Sequence, residues 1–215
     1  YTPIFLSEVG LLMQRGSLPI DVALITVSPP DHNGYVSLGI AVDITKTAAE
    51  TAPYVVAEVN PNMPRTLGDS FIHVSEISAF VENDAPLLEL VLKAPSHIAR
   101  AIGQLIADLI DNESTLQTGV GRIPNSVFPY LANKRDLGIH TETFTDGIID
   151  LIEKGVITCR KKSLHPGKIV SSFCMGTKRL YDYVNNNPLF EFRPCHYVND
   201  PYVIAKNDRM VSINS

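Results

Sequence analysis

The sequence predicts an α/β protein made of two similar units whose sheets are mostly parallel. Three observations carry this. Largely apolar runs at 21–27, 54–59 and 77–81 alternate with stretches of helical spacing, a pattern that implies βαβ units. The alternation restarts beyond residue 90, with strands at 115–118, 138–143 and 168–173 and helices at 124–133, 146–154 and 177–185. Between the two runs, Asn83-Asp84-Ala85-Pro86 opens a linker. The units are therefore set at residues 1–90 and 91–215.

Taken in order, Phe5, Val9, Leu12 and Met13 fall at helical spacing and Gly16 closes that helix. Residues 21–27 are apolar enough to be a strand buried on both faces. They break at Ser28-Pro29-Pro30-Asp31-His32-Asn33-Gly34-Tyr35. A short helix is predicted at 43–51 and a second buried strand at 54–59, ended by Asn60-Pro61-Asn62-Met63-Pro64. The helix at 95–111 carries Ile98, Ala101, Ile102, Leu105, Ile106 and Leu109 as its apolar stripe. A last strand is predicted at 209–214.

Hydrophobic residues make up 45% of the 215, enough for a sizeable core, and no segment is biased towards disorder. A net charge of −5 and the lack of a long Lys/Arg run argue against a nucleic-acid partner. No apolar run approaches the roughly 18 residues of a membrane span, and no signal peptide is read. Cys159, Cys174 and Cys195, odd in number and not closely paired, suggest free thiols in a reducing, cytoplasmic setting. The histidines show no metal-ligand spacing, so no metal is expected.

Two stretches concentrate the chemistry. In Gly138-Ile139-His140-Thr141-Glu142-Thr143-Phe144, a strand ends at a carboxylate just before a helical pattern. The carboxyl ends of strands are where α/β folds build their sites. On residues alone, Glu142 is either an ordinary edge-strand glutamate or a functional one. His140 lies two residues away on the same face and can line the same pocket. The second stretch, Leu116-Gln117-Thr118-Gly119-Val120-Gly121-Arg122-Ile123-Pro124, is strand, glycine loop and helix start. Its glycines can expose backbone amides, and the helix start favours an anion. A tight βα turn explains it equally well.

Four stretches together resemble the acetyl-CoA hydrolase/transferase family, most nearly its 4-hydroxybutyrate-using members. They are residues 28–39 (Ser28-Pro-Pro-Asp-His-Asn-Gly-Tyr-Val-Ser-Leu-Gly39), 57–65 (Ala57-Glu-Val-Asn-Pro-Asn-Met-Pro-Arg65), 116–121 and 138–142. His165-Pro166-Gly167-Lys168 and residues 202–208 extend the match over essentially the whole chain. The resemblance implies two CoA-transferase-type α/β domains with a site between them. It implies that Glu142 is acylated and then carries CoA as a thioester, and that Gln117 and Gly119 line the site. Gly121 amides and Gln117 are expected to serve the oxyanion, with His140 as lining. Asn60 and Met63 are expected at the acyl group. The expected partners are an acyl-CoA, such as acetyl-CoA or butyryl-CoA, and a short-chain carboxylic acid, such as 4-hydroxybutyrate or acetate. Coenzyme A enters as substrate, with no bound cofactor, and a homo-oligomer is the expected assembly.

Hydrolysis of acyl-CoA by the same glutamate is the first alternative, and a non-catalytic binding domain the second. The family's members are longer, so both domains are expected to be incomplete here. Residues 1–215 alone are then expected neither to turn over acyl-CoA nor to behave as a stable monomer, with the 209–214 strand needing cover.

Overall fold

The computed structural model describes residues 2–92, 94–119 and 121–214. Its elements run α1 (Leu6–Gln14), β1 (Val22–Val27), β2 (Tyr35–Ser37), α2 (Thr45–Thr51), β3 (Tyr54–Val59), β4 (Phe71–His73) and β5 (Ala79–Glu82) in the first half. The second half holds α3 (His97–Leu109), β6 (Thr115–Thr118), α4 (Arg122–Val127), β7 (Gly138–Phe144), α5 (Ile149–Glu153), β8 (Ile169–Cys174), α6 (Lys178–Val184), β9 (Phe190–Phe192), α7 (Cys195–Val198), α8 (Pro201–Ile204) and β10 (Met210–Ile213). The mixed α/β class and the mostly parallel sheets follow the expectation. One parallel sheet has the order β1-β3-β5, and the other has the order β10-β6-β7-β8-β9.

The sequence reading missed an antiparallel pair, β2 with β4, lying across the Pro/Gly turn at 28–35. Asp31 builds that turn. One carboxylate oxygen accepts the amides of Asn33 and Tyr35, and the other takes Arg65 Nη2 at 2.6 Å. The Tyr35 and Asn33 amides, with Arg65 beside them, hold Asp31 below its ordinary pKa. Much of the 28–39 and 57–65 motifs is thus spent on folding. Gly39 is required, because its backbone is left-handed and a side chain there would strike Met63.

The halves share one apolar core. Residues 67–69 of the first half add to the free edge of β9: Asp69 N donates to Phe192 O and Phe192 N to Leu67 O, both at 2.8 Å. Val42 N donates to Ser172 O of β8 at 3.0 Å. The other edge of this sheet is β10, which among the described residues pairs with β6 alone. β7 lies at the centre, so the edge-strand reading of Glu142 does not hold.

One expectation about burial also fails. β1 is buried on one face only, with Leu24 78% exposed, and Tyr54 of β3 is 62% exposed. An apolar run satisfies a one-faced strand as readily as a two-faced one when the outward residues happen to be apolar.

Candidate functional site

β7 is made by close packing at its start and by threonines along its length. A side chain on Gly138 would meet the Lys162 stem at 2.5 Å. Lys162 runs in beside it, buried, and its ammonium donates to Ile139 O at 2.9 Å and Lys168 O at 2.8 Å. Burial lowers its pKa to about 8.

The ladder from β6 to β7 covers Thr115–Gly138 and Leu116–Ile139. Beyond it, the Thr141 hydroxyl bridges the two strands, donating to Thr118 O at 2.7 Å and accepting Thr118 N at 3.0 Å. The gap so bridged is at the carboxyl ends of neighbouring parallel strands, where open α/β sheets take ligands.

The strand runs buried from end to end except at one residue, Glu142. Its carboxylate accepts a hydrogen bond from Asn199 Nδ2, and its backbone carbonyl accepts the Ser171 hydroxyl at 2.9 Å. His140, on the same face, is fully buried. A carbonyl only accepts, so His140 Nε2 carries the proton that it gives to Val198 O at 3.0 Å. Its Nδ1 is then a bare, buried acceptor with no protein partner among the described residues. Burial drops the His140 pKa to about 4, so the ring is neutral at neutral pH.

The other predicted positions fall in two places. By register Gln117 lies beside His140, on the face that carries Glu142. Its carbonyl oxygen accepts Ser212 Oγ at 2.8 Å, which leaves the carboxamide NH2 as its donor. The Gly119 amide is already committed to Ile213 O at 2.8 Å. Gly121 starts α4, and its carbonyl accepts the Asn125 side chain at 2.8 Å. Val120 between them lies outside the described residues.

Asn60 and Met63 sit apart. Asn60 spends its side chain on Ala85 O and Asn62 N, tying the 60–64 loop to the linker. Met63 covers Gly39 and faces a cavity of about 330 Å³ shared with Pro86, Tyr181 and Asn185, whose lining does not include Glu142.

The thiols are poor nucleophile candidates. Burial pushes Cys195 up to about 12 and raises Cys159 and Cys174, and all three are buried and free. Among the described residues, no group of three His, Cys, Asp or Glu side chains could hold a metal ion, and no helix is long and apolar enough to cross a membrane.

Asn199 was missed by the sequence reading, which placed no helix or strand in 186–200. β9, α7 and the α8 start at Asp200-Pro201 lie there. Asp200 accepts the Tyr202 amide, and Pro201 opens α8. That Asp-Pro pair is a helix-start signal the sequence does carry. It shows a helix start, but not that the residue before it reaches Glu142.

Comparison with known proteins bears on the whole chain. The family model "Acetyl-CoA hydrolase/transferase N-terminal domain" matches residues 1–91, and its C-terminal counterpart matches 176–215. The whole chain is 57% identical to a 4-hydroxybutyrate coenzyme A transferase of Clostridium kluyveri, covering 50% of it. It is 45% identical to a succinyl-CoA:acetate/propanoyl-CoA:succinate CoA transferase of Fasciola hepatica, covering 45% of that protein. A solved 4-hydroxybutyrate CoA-transferase from Porphyromonas gingivalis superposes with a TM-score of 0.95 at 49% identity, over 99% of this chain and 55% of that one. RipA from Yersinia pestis superposes at 0.96 and 42% identity, over 100% and 50%. The chain thus spans about half the length of the curated relatives it matches.

Proposed function

Because the chain belongs to the acetyl-CoA hydrolase/transferase family, we propose that it carries the catalytic glutamate of a CoA-transferase acting between an acyl-CoA and a short-chain carboxylate. The observation that carries this reading is Glu142 itself: the one residue of a buried central strand that solvent reaches, its carboxylate oriented by Asn199.

In the reaction, the Glu142 carboxylate attacks the thioester carbonyl. A C–O bond forms, the C–S bond breaks, and CoA leaves as thiolate. The thiolate attacks the glutamyl carbonyl of the mixed anhydride, which frees the first acid and leaves a glutamyl-CoA thioester. A second carboxylate then runs the two steps in reverse. One activated acyl bond replaces another throughout, so the cycle is ping-pong and draws on no other energy source.

The Gln117 NH2 is placed by this reading at the developing oxyanion, where one donor is typically worth roughly 3–4 kcal/mol. The committed Gly119 amide shifts that role towards Gln117, with the Gly121 region completing the turn. His140 lines the pocket; Met63 and Asn60, which sit apart from Glu142, make no contact with the acyl group in this reading. The named activities of the relatives favour 4-hydroxybutyrate, acetate or a similar acid as acceptor, and favour transfer over hydrolysis.

Domains at 1–90 and 91–215 are kept in this reading, in line with the N-terminal family match ending at residue 91. Three buried free thiols support a reducing, cytoplasmic setting. A homo-oligomer is the assembly proposed for the whole protein.

Glu142→Ala and Glu142→Gln in the whole protein test the reading. Both are expected to lose transferase turnover by orders of magnitude. Near-normal turnover of Glu142→Gln, with deamidation excluded by mass, would overturn it.

A further inference from the structure

Behind α7 lies a cluster of ionisable side chains that the glutamyl chemistry does not use. His165 stands at its centre, about one-fifth exposed and with a left-handed backbone, φ +52°. A histidine held in that conformation costs free energy, which the surrounding loop must supply. The loop is built to do so. Gly167 N donates to Cys159 O at 2.7 Å, and the buried Lys162 ammonium ties residue 168 to β7.

His165 Nδ1 faces Glu191 Oε2 at 3.3 Å. A carboxylate only accepts, so Nδ1 carries the proton and Nε2 is free to accept. Tyr197 Oη lies 2.6 Å from Nε2, so the tyrosine hydroxyl donates. Burial, the largest influence on His165, lowers its pKa and favours that neutral ring. Arg193, bonded to Glu191 at 2.6 Å, stacks on the Tyr197 ring at 4.7 Å.

Tyr197 belongs to α7, a four-residue helix too short to hold its own shape. Val198 and Asn199 follow. One gives its carbonyl to His140 and the other its amide group to Glu142.

We infer that His165 and Tyr197 are positioning residues for the proposed transfer: their pair pins α7 from behind and so sets Asn199 against Glu142. The inference rests on the reading of Glu142 as nucleophile. It adds that the 159–168 loop, which touches no reacting atom, controls how often the carboxylate is aimed correctly. Small misplacements of that kind cost about 10- to 100-fold in rate.

The test uses the whole protein with an acyl-CoA and an acceptor acid. Tyr197→Phe keeps the ring on Arg193 and removes only the hydroxyl. It is expected to lower kcat, and the rate of enzyme–CoA thioester formation, by about 10- to 100-fold, while KM for acyl-CoA stays within about threefold. Added to Asn199→Ala, the same change should cost less than about twofold more, because the residue it acts through is gone. His165→Asn, whose side chain tolerates the left-handed backbone, should behave alike and guards against a folding defect in the tyrosine variant. Wild-type kcat in both single variants overturns the inference. So does a loss that multiplies with that of Asn199→Ala, since a merely structural defect would act in either background. Glu142→Gln is assayed alongside. If it turns over normally, the nucleophile assignment falls; if it is dead while Tyr197→Phe is unimpaired, only the positioning role falls.

Discussion

In the first half, β1 and β3 turn Val22, Leu24 and Tyr54 outwards, and all four residues of β5 are exposed. In the second half, β7 and β8 are buried on both faces but for a residue each, Glu142 and Phe173. Both sheets are parallel and similar in strand length, so local sequence character does not separate them. What separates them is cover. α7 and the first-half segment at 41–43 pack on β7 and β8, whereas the outward face of β1 has no such layer in this structure. A carboxylate can be singled out only where everything around it is packed. The sheet with cover is therefore the one that can hold a site.

The contrast predicts different costs for substitutions in the two sheets. Ile139→Ala, at a fully buried position of β7, is expected to cost about 2–5 kcal/mol in denaturant unfolding. A loss under 1 kcal/mol would mean the second sheet is not the packed one.

His140 gives a pH test. Its pKa falls from 6.5 unfolded to about 4 folded, so between those values the unfolded chain binds more protons. Stability is then full above about pH 6.5 and is lost as pH falls towards 4, by about 3 kcal/mol in all. Urea midpoints at several pH values, compared with His140→Gln, isolate this slope. Equal slopes would show that the ring is not buried neutral.

Asn199→Ala is expected to lower kcat about 100-fold, equivalent to about 2.7 kcal/mol, with KM little changed. A change confined to KM would mean that Asn199 binds substrate rather than aims Glu142. The smallest effect is expected on the open sheet: Leu24→Lys should shift stability by no more than about 0.5 kcal/mol. A loss above 2 kcal/mol would show that this face is covered in the whole protein, and the contrast would be withdrawn.

Much of this was legible in the sequence. Strand periodicity and the linker gave the α/β class, the parallel sheets and the boundaries of β3, β6 and β7 to within a residue. Glu142 was singled out by its stretch but left open on residues alone; its expected role came from the family resemblance. The β2–β4 pair was hidden, since three-residue strands leave no periodicity and their Pro/Gly turn dominates the reading. The open face of β1 was hidden because burial depends on neighbours that the strand does not encode. Asn199 was hidden for the same reason: it reaches Glu142 across 57 residues of chain, through a short helix fixed by tertiary contacts.

The central claim is that Glu142 is the covalent nucleophile of the cycle. Incubating the whole protein with an acyl-CoA, then reducing with borohydride and mapping peptides, tests it most directly, because a thioester is reduced to an alcohol while a free carboxylate is not. The account predicts the modification on Glu142, dependent on acyl-CoA and absent in Glu142→Gln. An acyl group trapped on Cys159, Cys174 or Cys195 and lost on reduction with the thiol restored, or an active enzyme with Glu142 untouched, would contradict it.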